Sequence, residues 1–113
     1  MKDKENISIS KMIEYINKIL NYTKDYTFDV FSKDEKTVDA TIFALSQIGE
    51  LIKNIEIDTM NKYNNIEWRV ISSLRNRIVH DYEGINLKLI WYIIENDIPK
   101  LKIDLSEILT NKK

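Results

Sequence analysis

The sequence contains no cysteine, two glycines and one proline among its 113 residues. Without cysteine, the chain can form neither disulfide bonds nor thiolate zinc sites. The scarcity of glycine and proline favours long helices over many short strands. Hydrophobic residues make up 43% of the chain, which is too rich for a disordered protein and sufficient for a core. We therefore predict a single domain over residues 1–113, with its core at about residues 8–109.

The sequence also lacks long apolar runs and a strong excess of one charge. No stretch approaches the ~20 apolar residues of a membrane-spanning helix, and the N-terminal MKDKENISIS has no apolar core of a signal peptide. With a formal net charge of −1, any contact with nucleic acid would require a local basic patch. The sequence shows no metal-ligand set and no glycine-rich phosphate loop. We expect a soluble, cytoplasmic protein that uses no metal or cofactor.

In the first half of the chain, apolar residues recur every three or four positions, which predicts two helices. The first begins at Ser8 or Ser10, and the polar and aromatic segment 26–32 predicts a loop. A capping box formed by Ser32 and Glu35 opens the second helix. The apolar stripe of this second helix consists of Val38, Ile42, Leu45, Ile48, Ile52 and Ile55.

The second half of the chain predicts two further helices. The third begins near Glu67 and stops before Gly84, since glycine favours the left-handed conformation that ends a helix. Asn86 can cap the fourth, in which Pro99 should kink or split the helix near Asp97. The predicted fold is all-α, an antiparallel bundle of four to five helices.

One octapeptide, RNRIVHDY at residues 75–82, holds the only histidine and two of the three arginines. On a helical wheel at about 100° per residue, with Leu74 facing the core, Asn76 lies about 160° away and His80 about 120° away. Asn76 and His80 are also four residues apart, so their side chains are neighbours. This predicts an outward polar surface flanked by Arg75. The core side of the same wheel holds Val70, Ile71 and Ile78.

This outward surface has groups that could cleave a phosphodiester. Arginine binds phosphate through paired planar donors, and histidine accepts or donates a proton near pH 7. RNA supplies its own 2′-hydroxyl nucleophile, so cleavage needs only proton transfer and charge stabilisation. Because acid–base cleavage needs two groups and the chain has one histidine, a two-fold dimer would bring two His80 side chains and two Arg75 side chains to one cleft. On spacing alone, a solvated surface histidine remains the simpler interpretation.

The octapeptide resembles the R-x-x-x-x-H-x-Y motif of HEPN-domain ribonucleases, specifically the HepT-like toxin family. SQIGELIKNI at 46–55 is similar to the IGE segment in the second helix of that family. NNIEWRVISSLRNRIVHDYEGINLKLIWYIIENDIPKLK at 64–102 resembles its W-x-x-(I/L)-x-x-x-R-N-x-x-x-H-x-Y block and the elements that follow. The resemblance covers roughly residues 8–109. Glu83 and Asn86 depart from the family pattern, and both lie outside the core motif.

The resemblance implies a HEPN-like homodimer with metal-independent endoribonuclease activity, acting as the toxin of a type II-like toxin–antitoxin pair. Carried over by position, Arg75 and His80 are the catalytic pair in a cleft at the dimer interface, and Asn76 is the polar residue beside the arginine. Arg77 is a candidate for contact with the RNA backbone, although an ion pair with Asp81 explains it equally well.

The resemblance also implies a protein partner, a nucleotidyltransferase antitoxin of the MNT type. Such an antitoxin can transfer AMP to the motif tyrosine, here Tyr82. The added phosphate charge beside the cleft would repel RNA. Two other interpretations stay open: a non-catalytic binding subunit of a two-component nucleotidyltransferase, and a catalytically inactive HEPN scaffold. Cleavage of RNA by the purified chain alone would distinguish both from a ribonuclease.

Overall fold

The structure, a computed structural model, describes residues 2–74, 76 and 86–111. Within these ranges the regular secondary structure is entirely helical, which confirms the predicted all-α fold. The helices are α1 (Lys2–Tyr22), α2 (Phe28–Lys33), α3 (Glu35–Leu51), α4 (Ile57–Lys62), α5 (Trp68–Ser72), α6 (Leu87–Tyr92) and α7 (Ile98–Asn111). A 3₁₀ turn, Ile52–Asn54, follows α3, and a π-helical segment, Ile93–Asp97, joins α6 to α7.

The two longest helices, α1 and α3, pack side by side in opposite directions. The Asn54 amide, just after α3, donates a hydrogen bond of 2.9 Å to the Ser8 hydroxyl near the start of α1. Farther along α1, the Tyr15 ring meets the Phe43 ring edge-on, with 6.3 Å between centroids. Residue numbers therefore rise along α1 as they fall along α3. The fully buried side chains of the shared core come from α1, α2, α3 and α7: Ile9, Met12, Ile16, Ile19, Phe31, Leu45, Ile48, Leu105 and Ile108.

Helix α1 begins earlier than Ser8 or Ser10, so the predicted start was wrong. The Glu5 side chain is 1% exposed, and its carboxylate accepts a 2.7 Å hydrogen bond from the backbone N–H of Glu56. Ser8 is buried inside the helix rather than capping it. These contacts with the segment after α3 hold the first turns of α1 in place, which local capping signals do not reveal.

Residues 26–32 include most of α2, so the predicted loop was also wrong. The Thr27 hydroxyl caps this helix by accepting a 3.2 Å hydrogen bond from the N–H of Val30. Phe31 is fully buried, and its ring lies 5.2 Å from the Trp91 ring between centroids. A helix of six residues is too short to show a helical pattern of apolar residues. Its one buried side chain, Phe31, anchors it to the core.

Asp34, rather than Ser32, caps α3. Its carboxylate accepts a 3.1 Å hydrogen bond from the N–H of Thr37, whereas the Ser32 hydroxyl donates to the carbonyl of Asp29. The predicted capping box was therefore wrong. The hydrogen bond from the Tyr26 hydroxyl, followed by those from Thr37, lowers the pKa of Asp34. Because that pKa is depressed, the stabilisation from Asp34 is present above the ordinary carboxyl pKa and is lost as pH falls through the lowered value.

The C-terminal half of the fold confirms the predicted Asn86 cap and changes its helical winding near the predicted position of the kink. The Asn86 side chain accepts a 3.1 Å hydrogen bond from the N–H of Leu89 and so caps α6. The winding then changes to a π-helix at Ile93–Asp97, where a kink or split was predicted, and the chain stays helical through this segment into α7. Pro99 lacks the N–H that would bond the carbonyl of Glu95, and a π turn is one way a helix accommodates that loss.

Thr41 is a polar defect in the core, and its replacement is expected to stabilise the fold. The side chain is fully buried, and its hydroxyl has no hydrogen-bond partner among the residues that the structure describes. A buried hydroxyl left unpaired destabilises the folded state, so Thr41→Val should raise the free energy of unfolding by about 1 kcal/mol. Urea denaturation would measure the change. The exposed Thr110→Val is the matched control, expected to shift stability by less than about 0.5 kcal/mol. Destabilisation by Thr41→Val would contradict the prediction.

Candidate functional site

The helix that leads into the motif is fixed to the core by three side chains. Trp68, Ile71 and Leu74 are all buried. The Trp68 indole N–H also donates a 3.1 Å hydrogen bond to the carbonyl of Tyr63, which fixes the start of α5 against the preceding turn. Leu74 therefore faces the core as the helical wheel predicts, directly before the motif begins.

The opposite side of the same helical stretch faces solvent. Asn76 is helical and exposed, which agrees with the face that the wheel predicts for it. Ser72 is exposed, and Ser73 is half-buried. Their hydroxyls donate to the backbone carbonyls of Arg69 and Val70, at 3.1 Å and 2.7 Å. The two hydroxyls are thus engaged within their own helix, and Asn76 is the more available polar group for a ligand.

The remaining candidates of the motif lie outside the described residues: Arg75, Arg77, His80 and Tyr82. The core position predicted for Ile78, the ion pair predicted between Arg77 and Asp81 and the helix stop at Gly84 lie there too. Their roles stay predictions. The flanks that are described, Leu74 and Asn76 on one side and the capping Asn86 on the other, establish the helical approach to the motif and the start of the next helix.

Val70 was predicted to face the core, and that prediction was wrong, since its side chain is 42% exposed. It borders an open groove of about 330 Å³ between α5 and the stretch from the π segment into α7. The groove floor is apolar: Ile66, Ile71, Leu74, Ile93, Ile98 and Leu101. Its polar lining consists of Asn65, Glu67, Asp97, Lys100 and Asp104. Helical spacing gives a groove-lining valine and a core valine the same signature, so periodicity did not reveal this groove.

Charged side chains of the groove interact with one another. The Lys100 ammonium lies 2.9 Å from a carboxylate oxygen of Asp104. That hydrogen bond is the main reason that the pKa of Lys100 is raised, and the charges of Glu67 and Asp97 raise it further. Three carboxylates therefore act on one ammonium, which leaves the rim of the groove negatively charged.

Within residues 2–74, 76 and 86–111, no group of three or more His, Cys, Asp or Glu side chains is placed to hold a metal ion. Nor does any helix in those ranges have the length and apolarity required to cross a membrane.

Comparison with known proteins gives a family match over most of the chain. The family model described as "Ribonuclease HepT-like" matches residues 12–108. "Putative RNase MJ0127" of Methanocaldococcus jannaschii is 40% identical over 98 residues, which cover 87% of this chain and 81% of that protein. "Probable ribonuclease HepT" of Thermococcus cleftensis is 34% identical over 102 residues, covering 90% of this chain and 93% of its own length.

A third relative comes from a bacterium. "Putative RNase TTE0752" of Caldanaerobacter subterraneus subsp. tengcongensis is 32% identical over 95 residues, covering 84% of this chain and 85% of that protein. No solved structure gives a significant match.

Proposed function

The chain belongs to the ribonuclease HepT-like family, and from that membership we propose that it is an RNA-cleaving toxin. The observation that carries the proposal is a family match over residues 12–108 that includes an intact R-x-x-x-x-H-x-Y motif at 75–82. The described flanks are consistent with it, because buried Leu74 and exposed Asn76 orient the helix as a solvent-facing site requires.

The proposed reaction is metal-independent cleavage by acid–base chemistry. The 2′-hydroxyl of RNA attacks the adjacent phosphorus and expels the 5′-oxygen, which leaves a 2′,3′-cyclic phosphate. One His80 removes the proton from the 2′-hydroxyl, and His80 of the partner subunit donates a proton to the leaving oxygen. Arg75 stabilises the negative charge that builds on the phosphorane oxygens.

A homodimer is part of this proposal, because a single histidine per chain cannot be base and acid in the same step. A two-fold contact brings identical residues of both protomers to one place. Within the cleft, Asn76 would orient the imidazole or the phosphate, and Arg77 would contact the RNA backbone.

Regulation by a protein partner completes the proposal. A nucleotidyltransferase antitoxin of the MNT type would neutralise the toxin and transfer AMP to Tyr82. The added phosphate would place negative charge beside the cleft and repel RNA. Intact mass spectrometry of the chain, produced with and without a nucleotidyltransferase encoded beside it, measures this directly. An unchanged mass in the presence of the active partner would argue against modification.

The function itself is tested by incubating single-stranded RNA with the purified chain alone in the presence of a metal chelator. We expect cleavage, with cyclic phosphate at the new 3′ ends. RNA that stays intact, combined with binding of the chain to a nucleotidyltransferase, would instead support the non-catalytic binding subunit.

A further inference from the structure

The groove beside α5 has a chemistry that does not suit RNA. Among the residues that the structure describes, its rim carries the carboxylates of Glu67, Asp97 and Asp104 and one ammonium, that of Lys100. Lys100 is already bonded to Asp104 at 2.9 Å. Glu67 and Asp97 are exposed, and no cationic side chain of the described ranges lies within ion-pair distance of either. These carboxylates would repel a polyanion, so the chemistry of the described rim suits a cationic ligand rather than RNA.

The floor of the groove suits aliphatic side chains. Ile66, Ile71 and Leu101 line this floor with small exposed areas of 4%, 8% and 6%, and Val70 stands 42% exposed at its edge. Burying apolar surface from water is favourable by roughly 25 cal/mol per Å². An occupant with aliphatic side chains would therefore gain from this floor, and the exposed carboxylates of Glu67 and Asp97 would favour an occupant that also carries positive charge.

A second copy of this chain does not fit these requirements. If two grooves met across a two-fold axis, two rims would come together that each carry, among the described residues, three carboxylates and one ammonium. Such like-charge contacts are unfavourable when they lose water. A contact between the groove and a different face of another copy would be head-to-tail, which leads to rings or open filaments rather than a simple dimer.

We propose that this groove docks an amphipathic segment of a different protein. The segment would place aliphatic side chains on the apolar floor and Lys or Arg side chains beside Glu67 and Asp97. Recognition of an amphipathic helix by an apolar groove uses anchors spaced three and four residues apart. The occupant would lie against Val70, Ile71 and Leu74, in the turns immediately before Arg75. A partner held there would be positioned next to the motif without competing for phosphate contacts.

The test uses two fluorescently labelled helical peptides of about 15 residues, one of leucine and lysine and the other with glutamate in place of each lysine. Binding to the full-length wild-type chain is followed by fluorescence anisotropy. We expect the lysine peptide to bind at least about tenfold more tightly than the glutamate peptide, because only its side chains are opposite in charge to the rim carboxylates. This comparison needs no variant, and binding does not depend on ribonuclease activity. A negative result in this binding comparison is therefore distinguishable from a negative result in the ribonuclease assay.

Two matched pairs of variants locate the binding. Asp97→Lys and Val70→Asp should each lower the affinity for the lysine peptide at least about tenfold. Asp39→Lys and Val30→Asp make the same changes at exposed positions outside the groove. The exposed fraction of Val30, 47%, is similar to the 42% of Val70. These controls should leave binding unchanged.

Three results would overturn the proposal. The first is equal binding of both peptides, or no binding of either. The second is equal weakening by the groove variants and their controls, which would indicate general attraction to an acidic protein. The third is a change in oligomeric mass caused by Val70→Asp without a change in peptide affinity, which would assign the groove to self-association. Circular dichroism verifies that each variant is folded.

Discussion

Replacing His80 with alanine is expected to reduce RNA cleavage by the purified chain at least about 10³-fold, because general acid–base catalysis contributes typically 10²–10⁴-fold. The loss affects both proton transfers, since the same residue of the two protomers is base and acid. The initial rate of cleavage of a labelled RNA, measured with a metal chelator present, gives the ratio.

The helical content and melting temperature of His80→Ala should match the wild type, because the wheel places this side chain on the outward face. Added imidazole should restore part of the rate, since it supplies the missing proton-transfer group. Cleavage by the variant within about tenfold of the wild type would remove His80 from the mechanism. Loss of cleavage together with loss of helical content would point to a structural role.

Replacing Arg75 with alanine is expected to lower cleavage about 10²–10³-fold, because it removes a donor aimed at the charge that develops on phosphate. Arg69 provides the matched control. It is exposed on α5 and precedes the motif. Arg69→Ala should change the rate by less than about tenfold. Arg75→Lys should recover only part of the activity, because lysine keeps the charge but loses the paired planar donors.

The comparison of the two arginines separates a local role from general attraction to RNA. If both positions act only by attracting the polyanion, Arg69→Ala and Arg75→Ala would lose similar activity, and both losses would shrink in high salt. A local role predicts that the loss at Arg75 persists when salt is raised. Equal, salt-sensitive losses would contradict the assignment of Arg75 to the reacting phosphate.

Much of the fold was predictable because its helices are amphipathic and few residues break them. Leu74 was correctly assigned to the core and Asn76 to the surface from a spacing of 3.6 residues per turn. The Asn86 cap acts through local backbone chemistry, so it was also predictable, whereas the expected kink or split near Asp97 is a change of winding to a π-helix.

The errors arise where contacts distant in sequence decide the structure. The start of α1 depends on Glu5 meeting the backbone of Glu56, and α2 depends on Phe31 meeting Trp91. Val70 has core spacing but borders a groove, because α5 packs against α3 and the 3₁₀ turn and leaves an open groove toward α7. No local pattern contains this information.

The candidate site was predicted partly from helical spacing and partly from the family motif. Helical spacing grouped Asn76 and His80 on one face, but it did not distinguish a catalytic histidine from a solvated one. The catalytic roles of Arg75 and His80 rest on the family motif, which the match over residues 12–108 supports. The groove was not predicted, since its carboxylates come from two stretches distant in sequence, Glu67 before α5 and Asp97 and Asp104 on the π segment and α7.

The central claim, one cleft built from two protomers, is tested most directly by mixing subunits. Wild-type and His80→Ala chains are unfolded together in equal amounts, refolded, and assayed for RNA cleavage at fixed total protein. Random pairing leaves about one quarter of the dimers fully wild type. If both histidines serve one cleft, activity should fall to about one quarter of that of the wild type alone. Activity of about one half would show that each protomer cleaves independently, and would contradict the shared cleft.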